Sequence, residues 1–204
     1  MTRRINLLIV CILLSFINAN AQTKVVGECA IQFSVFQLQL QDTIPIGSKS
    51  VLVKGNQCKT VLTTPHFTQG ILFNIQETKA IITKEIGAAH FLQEISYPPI
   101  NVPTLLSMKQ IASDTGVIIL GYPCKRIELK WSDGGTYDLY YTSEIIPTVN
   151  AFEYAFKEVP GLVLAYTISS EQGVVVQYYA TKLDLSPLSL SEFNINTSLY
   201  QVLE

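Results

Sequence analysis

Charge is scarce in this chain. Only 15% of its 204 residues are Asp, Glu, Lys or Arg, and acids outnumber bases 16 to 14. No basic stretch is present, which argues against a nucleic-acid partner and against electrostatic binding to an anionic membrane surface. Histidine is as rare. His66 and His90 stand alone, so neither a His-based metal centre nor a His acid–base pair is expected. The four cysteines never come as Cys-x-x-Cys, which removes the usual zinc spacing. Gly-x-Ser-x-Gly, P-loop and dinucleotide fingerprints are missing. No cofactor, metal or enzyme class is therefore indicated.

Apolar residues, by contrast, make up 48% of the chain. The first stretch reads as an export signal: Arg3 and Arg4, an apolar core from Leu7 to Ile17, and a small-x-small cleavage site at Ala19-Asn20-Ala21. The run is too short to span a bilayer. Cleavage after Ala21 would release a periplasmic or secreted product. No cysteine follows the cleavage site directly, so lipoprotein attachment is not expected. Residues 22–185 read as one antiparallel β domain, and 186–204 as a polar, loosely held tail. Cys29, Cys58 and Cys124 follow the signal. In an oxidising compartment a Cys58–Cys124 disulfide with Cys29 left over is the preferred pairing, and three buried reduced thiols are the other reading.

The stretch from Gly121 to Ile145 carries the plainest pattern. Ile127, Leu129 and Trp131 alternate with charged residues, and Tyr137, Leu139 and Tyr141 do the same after Asp133-Gly134-Gly135. A three-residue loop with Gly135 in third place would set Trp131 against Tyr137, Leu129 against Leu139 and Ile127 against Tyr141. The same loop type, ending in Gly173, sets Ile168 against Val176 and Tyr166 against Tyr178. A third, ending in Gly116, would pair Ile111 with Ile119; a helix over Leu105–Ala112 competes with it.

Upstream, strands are expected over Cys29–Leu40, Ser48–Lys54, Gln57–Thr63, Thr68–Ile75, Ala80–Ile86 and Phe91–Ser96. The apolar phase of the first changes sides between Val35 and Phe36, which calls for a bulge or bend there. Gly55-Asn56 suits a two-residue turn. The prolines of Tyr97–Pro103 exclude a central strand, so this segment reads as a surface loop joining two halves of one sheet. One helix is expected, over Val149–Glu158. Asn150 would cap it and Phe152, Ala155, Phe156 and Val159 would share a face.

Several of these residues resemble a known family. GYPCKRIEL is similar to its GY-x-C-K/R signature, YYTSEI to its WYT-x-EI stretch, and Val159-Pro160-Gly161-Leu162-Val163-Leu164 to its namesake Gly-Leu-Pro-Gly-Leu-Ile. VLVKGNQCKTVL is similar to its KG-x-x-x-R hairpin, with Lys59 for Arg. These are GLPGLI-type and related unknown-function exported proteins of gram-negative bacteria, and the match runs from Val51 to Leu183. The resemblance implies a LolA/LolB-like fold: a curved antiparallel sheet, an incomplete β-barrel, covered by one or two short helices. It implies no established activity.

The candidate binding residues come from the pattern instead. Trp131, Tyr137, Tyr141, Tyr166 and Tyr178 fall on inward phases, and Phe152 and Phe156 on the helical face above them. Together they are expected to line a cavity for a lipid or a lipidated or apolar segment, as in a carrier or chaperone. The bland alternative is a packed core and an envelope interaction or scaffold module with no cavity. Asp133 reads as an ordinary turn residue, and Asp138 and Glu144 as solvated strand positions.

Overall fold

The computed structural model describes residues 23–39, 42–100, 102–111, 116–170 and 173–203; the expected export signal lies outside them. Two meanders of alternating sequence build one mixed but chiefly antiparallel open sheet. The first follows a short strand β1 (Lys24–Val26) and comprises β2 (Glu28–Leu38), β3 (Thr43–Lys54), β4 (Gln57–Thr63), β5 (Thr68–Asn74), β6 (Lys79–Ile86) and β7 (Ala89–Ser96). The second comprises β8 (Leu105–Ile111), β9 (Val117–Ile119), β10 (Tyr122–Trp131), β11 (Thr136–Thr142), β12 (Ile145–Pro147), β13 (Leu162–Ser169) and β14 (Val175–Asp184). A last strand, β15 (Gln201–Leu203), joins the edge of β7 in parallel. The sheet order is β15-β7-β6-β5-β4-β3-β2-β14-β13-β11-β10-β8, and β1 pairs with β12 outside it.

The first meander ends at one edge of this order and the second begins at the other. Residues 97–104 connect β7 to β8, as expected for a loop between two halves. Ten strand-to-strand steps separate those strands, about 48 Å if the sheet were flat. Nine residues of extended chain reach only about 32 Å. The sheet must therefore bend and bring its two edges towards each other. Within the bend lies the core, with Phe33, Val51, Cys58 and Phe73 from the first meander and Leu129, Leu139, Leu164 and Tyr166 from the second. Residues 97–100, 102–104 and 149–160 lie across this inner face. The Tyr97 ring stacks on Phe73 at 4.3 Å between centroids.

Register depends on the turns. The β10–β11 loop is Ser132-Asp133-Gly134, not Asp133-Gly134-Gly135. Gly134 takes the left-handed position at φ 81°, and Trp131 N–H donates to Gly135 O at 3.0 Å. Leu129 therefore faces Tyr137, and Ile127 faces Leu139. The shift is even, so the inward phase of both strands survives. Ile168 faces Val176 and Tyr166 faces Tyr178, as expected. The irregularity at Val35/Phe36 is present too, with Val35 opposite Gly47 and Phe36 opposite Pro45. It leaves Ile46 as the extra residue, and β3 runs on through Pro45 instead of starting after it.

Three expectations fail for local reasons. Ile111 does not pair with Ile119, because Leu120 and Gly121 both take positive φ, 53° and 85°. That is a two-residue hairpin turn, and it folds Val117–Ile119 back onto Tyr122–Cys124. β8 lies beside the rest of β10 as a strand, so the helix over Leu105–Ala112 is excluded as well.

Residues 149–158 are not a helix either: only Tyr154–Phe156 make a single 3₁₀ turn. Val, Asn, Phe and Tyr are poor helix formers, and a ten-residue helix is marginal without better ones. Asn150 does not cap; its side-chain amide donates to Val159 O and cinches the segment into a loop. Of the expected face, Phe152, Phe156 and Val159 are in the core and Ala155 packs against it half-buried; Val149 is buried as well.

The tail is not loose. Its two 3₁₀ turns and β15 lie along the outer side of the first meander. Phe193 is 5% exposed, Lys59 donates to Glu192 O at 2.6 Å, and Tyr200 donates to Glu85 at 2.7 Å.

Candidate functional site

β3 sends Lys49, Val51 and Val53 to the inner face, so a lysine occupies an apolar phase. Lys49 is 6% exposed. Its ammonium forms an ion pair with Glu153 and donates to the Tyr166 hydroxyl at 3.1 Å. It also lies 5.8, 5.7 and 5.5 Å from the ring centroids of Phe152, Tyr166 and Tyr178. A buried ammonium is tolerated only when its lost hydration is replaced. Here a carboxylate, a phenol and three π faces replace it.

The tyrosines are held by register and stacking. Tyr166 and Tyr178 are cross-strand partners whose rings stack at 4.3 Å. Tyr166 also donates to Glu153 Oε1 at 3.3 Å. Burial, with Glu153 beside them, pushes the Tyr166 hydroxyl well above its ordinary range and Tyr178 up to about 12. Burial raises Tyr137 as well, with help from Glu153 and Asp133. All three phenols stay protonated near neutral pH.

Several hollows border this hub. One is an apolar trough of about 470 Å³, lined by Val35, Pro45, Leu62, Phe67, Val176 and Tyr178. His66 sits on its wall. Leu62 and Tyr178 also border a second hollow of about 140 Å³, which reaches Lys49, Thr60 and Glu153. On the other side of Glu153 lies a niche of about 170 Å³ walled by Trp131, Tyr137 and Tyr154, with Asp133 at its rim.

The seven expected lining residues divide. Tyr166, Phe152 and Phe156 fill the interior themselves. Phe156 packs edge-on against Tyr166 at 4.9 Å and Phe152 at 5.3 Å, and Phe33 closes the cluster. The space beneath Phe152 and Phe156 is thus occupied by these side chains themselves. Tyr141 is core as well. Tyr178, Tyr137 and Trp131 do border open space, at the sides of the cluster. Trp131 Nε1 is buried and has no acceptor among the described residues.

Cys58 and Cys124 are not bridged. Both are buried free thiols, as is Cys29, and six strand steps separate β4 from β10 in the sheet order. Asp138 does not pair with Glu144; Arg126 clamps it through two bonds of 2.8 and 2.7 Å. His90 packs edge-on against Tyr200 and lies 3.8 Å from Glu85. No group of three or more potential metal ligands occurs among the described residues. The hub's two charged members, Lys49 and Glu153, went unmarked in the sequence. The available signal was Lys49 falling in phase with Val51 and Val53.

No family model and no curated protein matches the sequence. Among solved structures, PNGF-II is similar to this chain, with a TM-score of 0.51 at 13% identity. The match covers 85% of this chain and 31% of PNGF-II, so this chain spans about a third of that protein's length. The likeness shows the fold, a mainly β architecture built on an open sheet.

Proposed function

We propose that this chain is an exported, periplasmic carrier- or chaperone-like binding protein, not an enzyme, for a lipid or a lipidated or apolar protein segment. On this reading it is a GLPGLI-type protein whose bent sheet is the incomplete barrel of the LolA/LolB carriers, with irregular segments where those have helices. The observation that carries the proposal is the apolar trough of about 470 Å³ that Tyr178 helps to line, a volume within the range of small-ligand sites. The ligand lies beside the aromatic cluster, not beneath residues 149–158. Its apolar body fills the trough, and a polar end reaches the Lys49–Glu153 hub through the adjoining hollow. Apolar burial drives binding at about 25 cal/mol per Å², before ordering costs.

The test combines native mass spectrometry of the purified protein with titration of a fluorescent acyl-chain probe. Val176→Glu should weaken probe binding at least tenfold with little change in thermal midpoint, because Val176 is only half-buried. A wild-type protein that carries no lipid and binds no probe would overturn the proposal.

A second reading, an interaction module, is favoured by one observation. β8 pairs only with β10 among the described residues and leaves Leu106 and Met108 exposed, an edge suited to strand addition by a partner. Loss of envelope partners in Leu106→Lys, with probe binding absent throughout, would support it.

A further inference from the structure

The niche on the far side of Glu153 differs in chemistry from the trough. Trp131, Tyr137 and Tyr154 supply three aromatic walls, and Asp133 and Glu153 supply two carboxylates. Both carboxylates act on the Tyr137 hydroxyl, so their negative potential extends into the niche. Aromatic faces attract cations through the ring quadrupole, and quaternary ammonium groups fit cages of this kind. Tyr154 already receives one: Lys157 Nζ lies 4.7 Å from its ring centroid. The other charges nearby are the Lys49 ammonium, which Glu153 holds, and exposed Lys157. A volume of about 170 Å³ equals roughly six waters at about 30 Å³ each, room for a ligand of about seven non-hydrogen atoms.

We propose that this niche binds a small quaternary ammonium ion of the choline type. The cation lies among the Trp131, Tyr137 and Tyr154 rings, beside Asp133 and Glu153. The niche is distinct from the apolar trough, and Glu153 borders both it and the hollow that adjoins the trough.

Trp131 is the chain's single tryptophan, so its emission reports on the niche directly. Choline is titrated against the full chain, beside tetramethylammonium, which lacks the oxygen, and dimethylbutanol, the uncharged isostere with carbon in place of nitrogen. Choline should give a saturable change with a Kd on the order of 1 mM. Tetramethylammonium should bind within a few-fold of choline, and the uncharged isostere at least tenfold more weakly. Asp133→Asn keeps the acceptor that Gly135 N–H uses at 3.0 Å, so it preserves the turn; it should weaken choline about tenfold. Tyr154→Leu should weaken it similarly. Equal binding of the isostere, no saturable change up to about 50 mM choline, or binding untouched by Asp133→Asn would each overturn the proposal.

Discussion

Lys49 of β3 and Tyr166 of β13 meet at 3.1 Å across the inner face, ammonium to phenol oxygen. Three strands of the sheet order separate β3 from β13's neighbour on the far side, and the junction between the two meanders, β2 against β14, lies between them. Glu153 joins both residues, so one polar knot ties the two halves to the segment that crosses them. An arrangement of this kind specifies where the crossing segment sits more than it stabilises the fold.

The knot predicts a characteristic non-additivity. Lys49→Met leaves Glu153 without its cation and should cost about 2 kcal/mol, below the usual loss for a fully buried pair because the Glu153 side chain is 34% exposed. Adding Glu153→Gln removes the stranded charge and should restore about half of that loss. Urea unfolding of the two single variants and the double variant measures the coupling. Strict additivity would mean that the two groups do not interact.

The thiols make the fold sensitive to alkali. Burial pushes Cys29 up to about 12 and Cys124 up to about 11, from an ordinary 9.0, and Cys58 higher still. A thiol is neutral when protonated, so the unfolded chain gives up its proton first as pH rises. The stability tied to these groups is complete below pH 9 and is lost between pH 9 and about 12. Thermal midpoints should fall steeply from pH 9 to pH 11, and a Cys29→Ala/Cys124→Ala variant should show a shallower fall. At pH 8 an aromatic disulfide reagent should leave Cys29, Cys58 and Cys124 nearly unreactive in the native protein and label all three once it is denatured. Labelling of Cys29 but of neither Cys58 nor Cys124 would indicate the Cys58–Cys124 bridge after all.

Gly161 sits between Pro160 and the start of β13, and its backbone abuts β11. A Cβ there would come within 2.1 Å of Thr142 O and 2.9 Å of the Tyr141 ring. Thr142 O is backbone of a buried strand end, so little can give way. Gly161→Ala should cost about 2–3 kcal/mol, read as a lower urea midpoint at unchanged m-value. A change below about 0.5 kcal/mol would show that the 160–162 turn shifts freely.

How much of this was legible in the residues varies with the kind of signal. Period-two alternation located most strands of the two meanders, because one face of each is buried; β1, β12 and β15, three residues each, are too short to show it. Leu120-Gly121 hid its turn, since leucine at positive φ is rare. The β10–β11 loop slipped because Gly134 and Gly135 both suit the left-handed position. Residues 149–158 gave a helical spacing of apolar groups, yet the same spacing serves a loop whose rings drop one by one into a sheet. The hub was hidden for another reason: a lysine in an apolar phase can point outward at a strand end, and only the placement of Glu153 shows that it does not.

The C-terminal stretch provides the last prediction. Its composition is polar, yet Phe193 buries its ring against the outer side of the first meander, where Thr83 and Leu92 are also covered. Lys54 donates to Leu188 O at 2.8 Å, and Leu188 N–H donates to Glu28 at 2.6 Å, which anchors the start of the stretch. β15 then pairs with β7, so an edge strand that would template intermolecular pairing is covered. Phe193→Ala should cost about 3 kcal/mol. Truncation after Pro187 should do more than destabilise: with the β7 edge bare, the protein should form higher-order species on size exclusion at concentrations where the full chain is unchanged. A truncated protein with an unaltered elution profile and an unaltered urea midpoint would mean that the stretch is an appendage and that β7 is protected by other means.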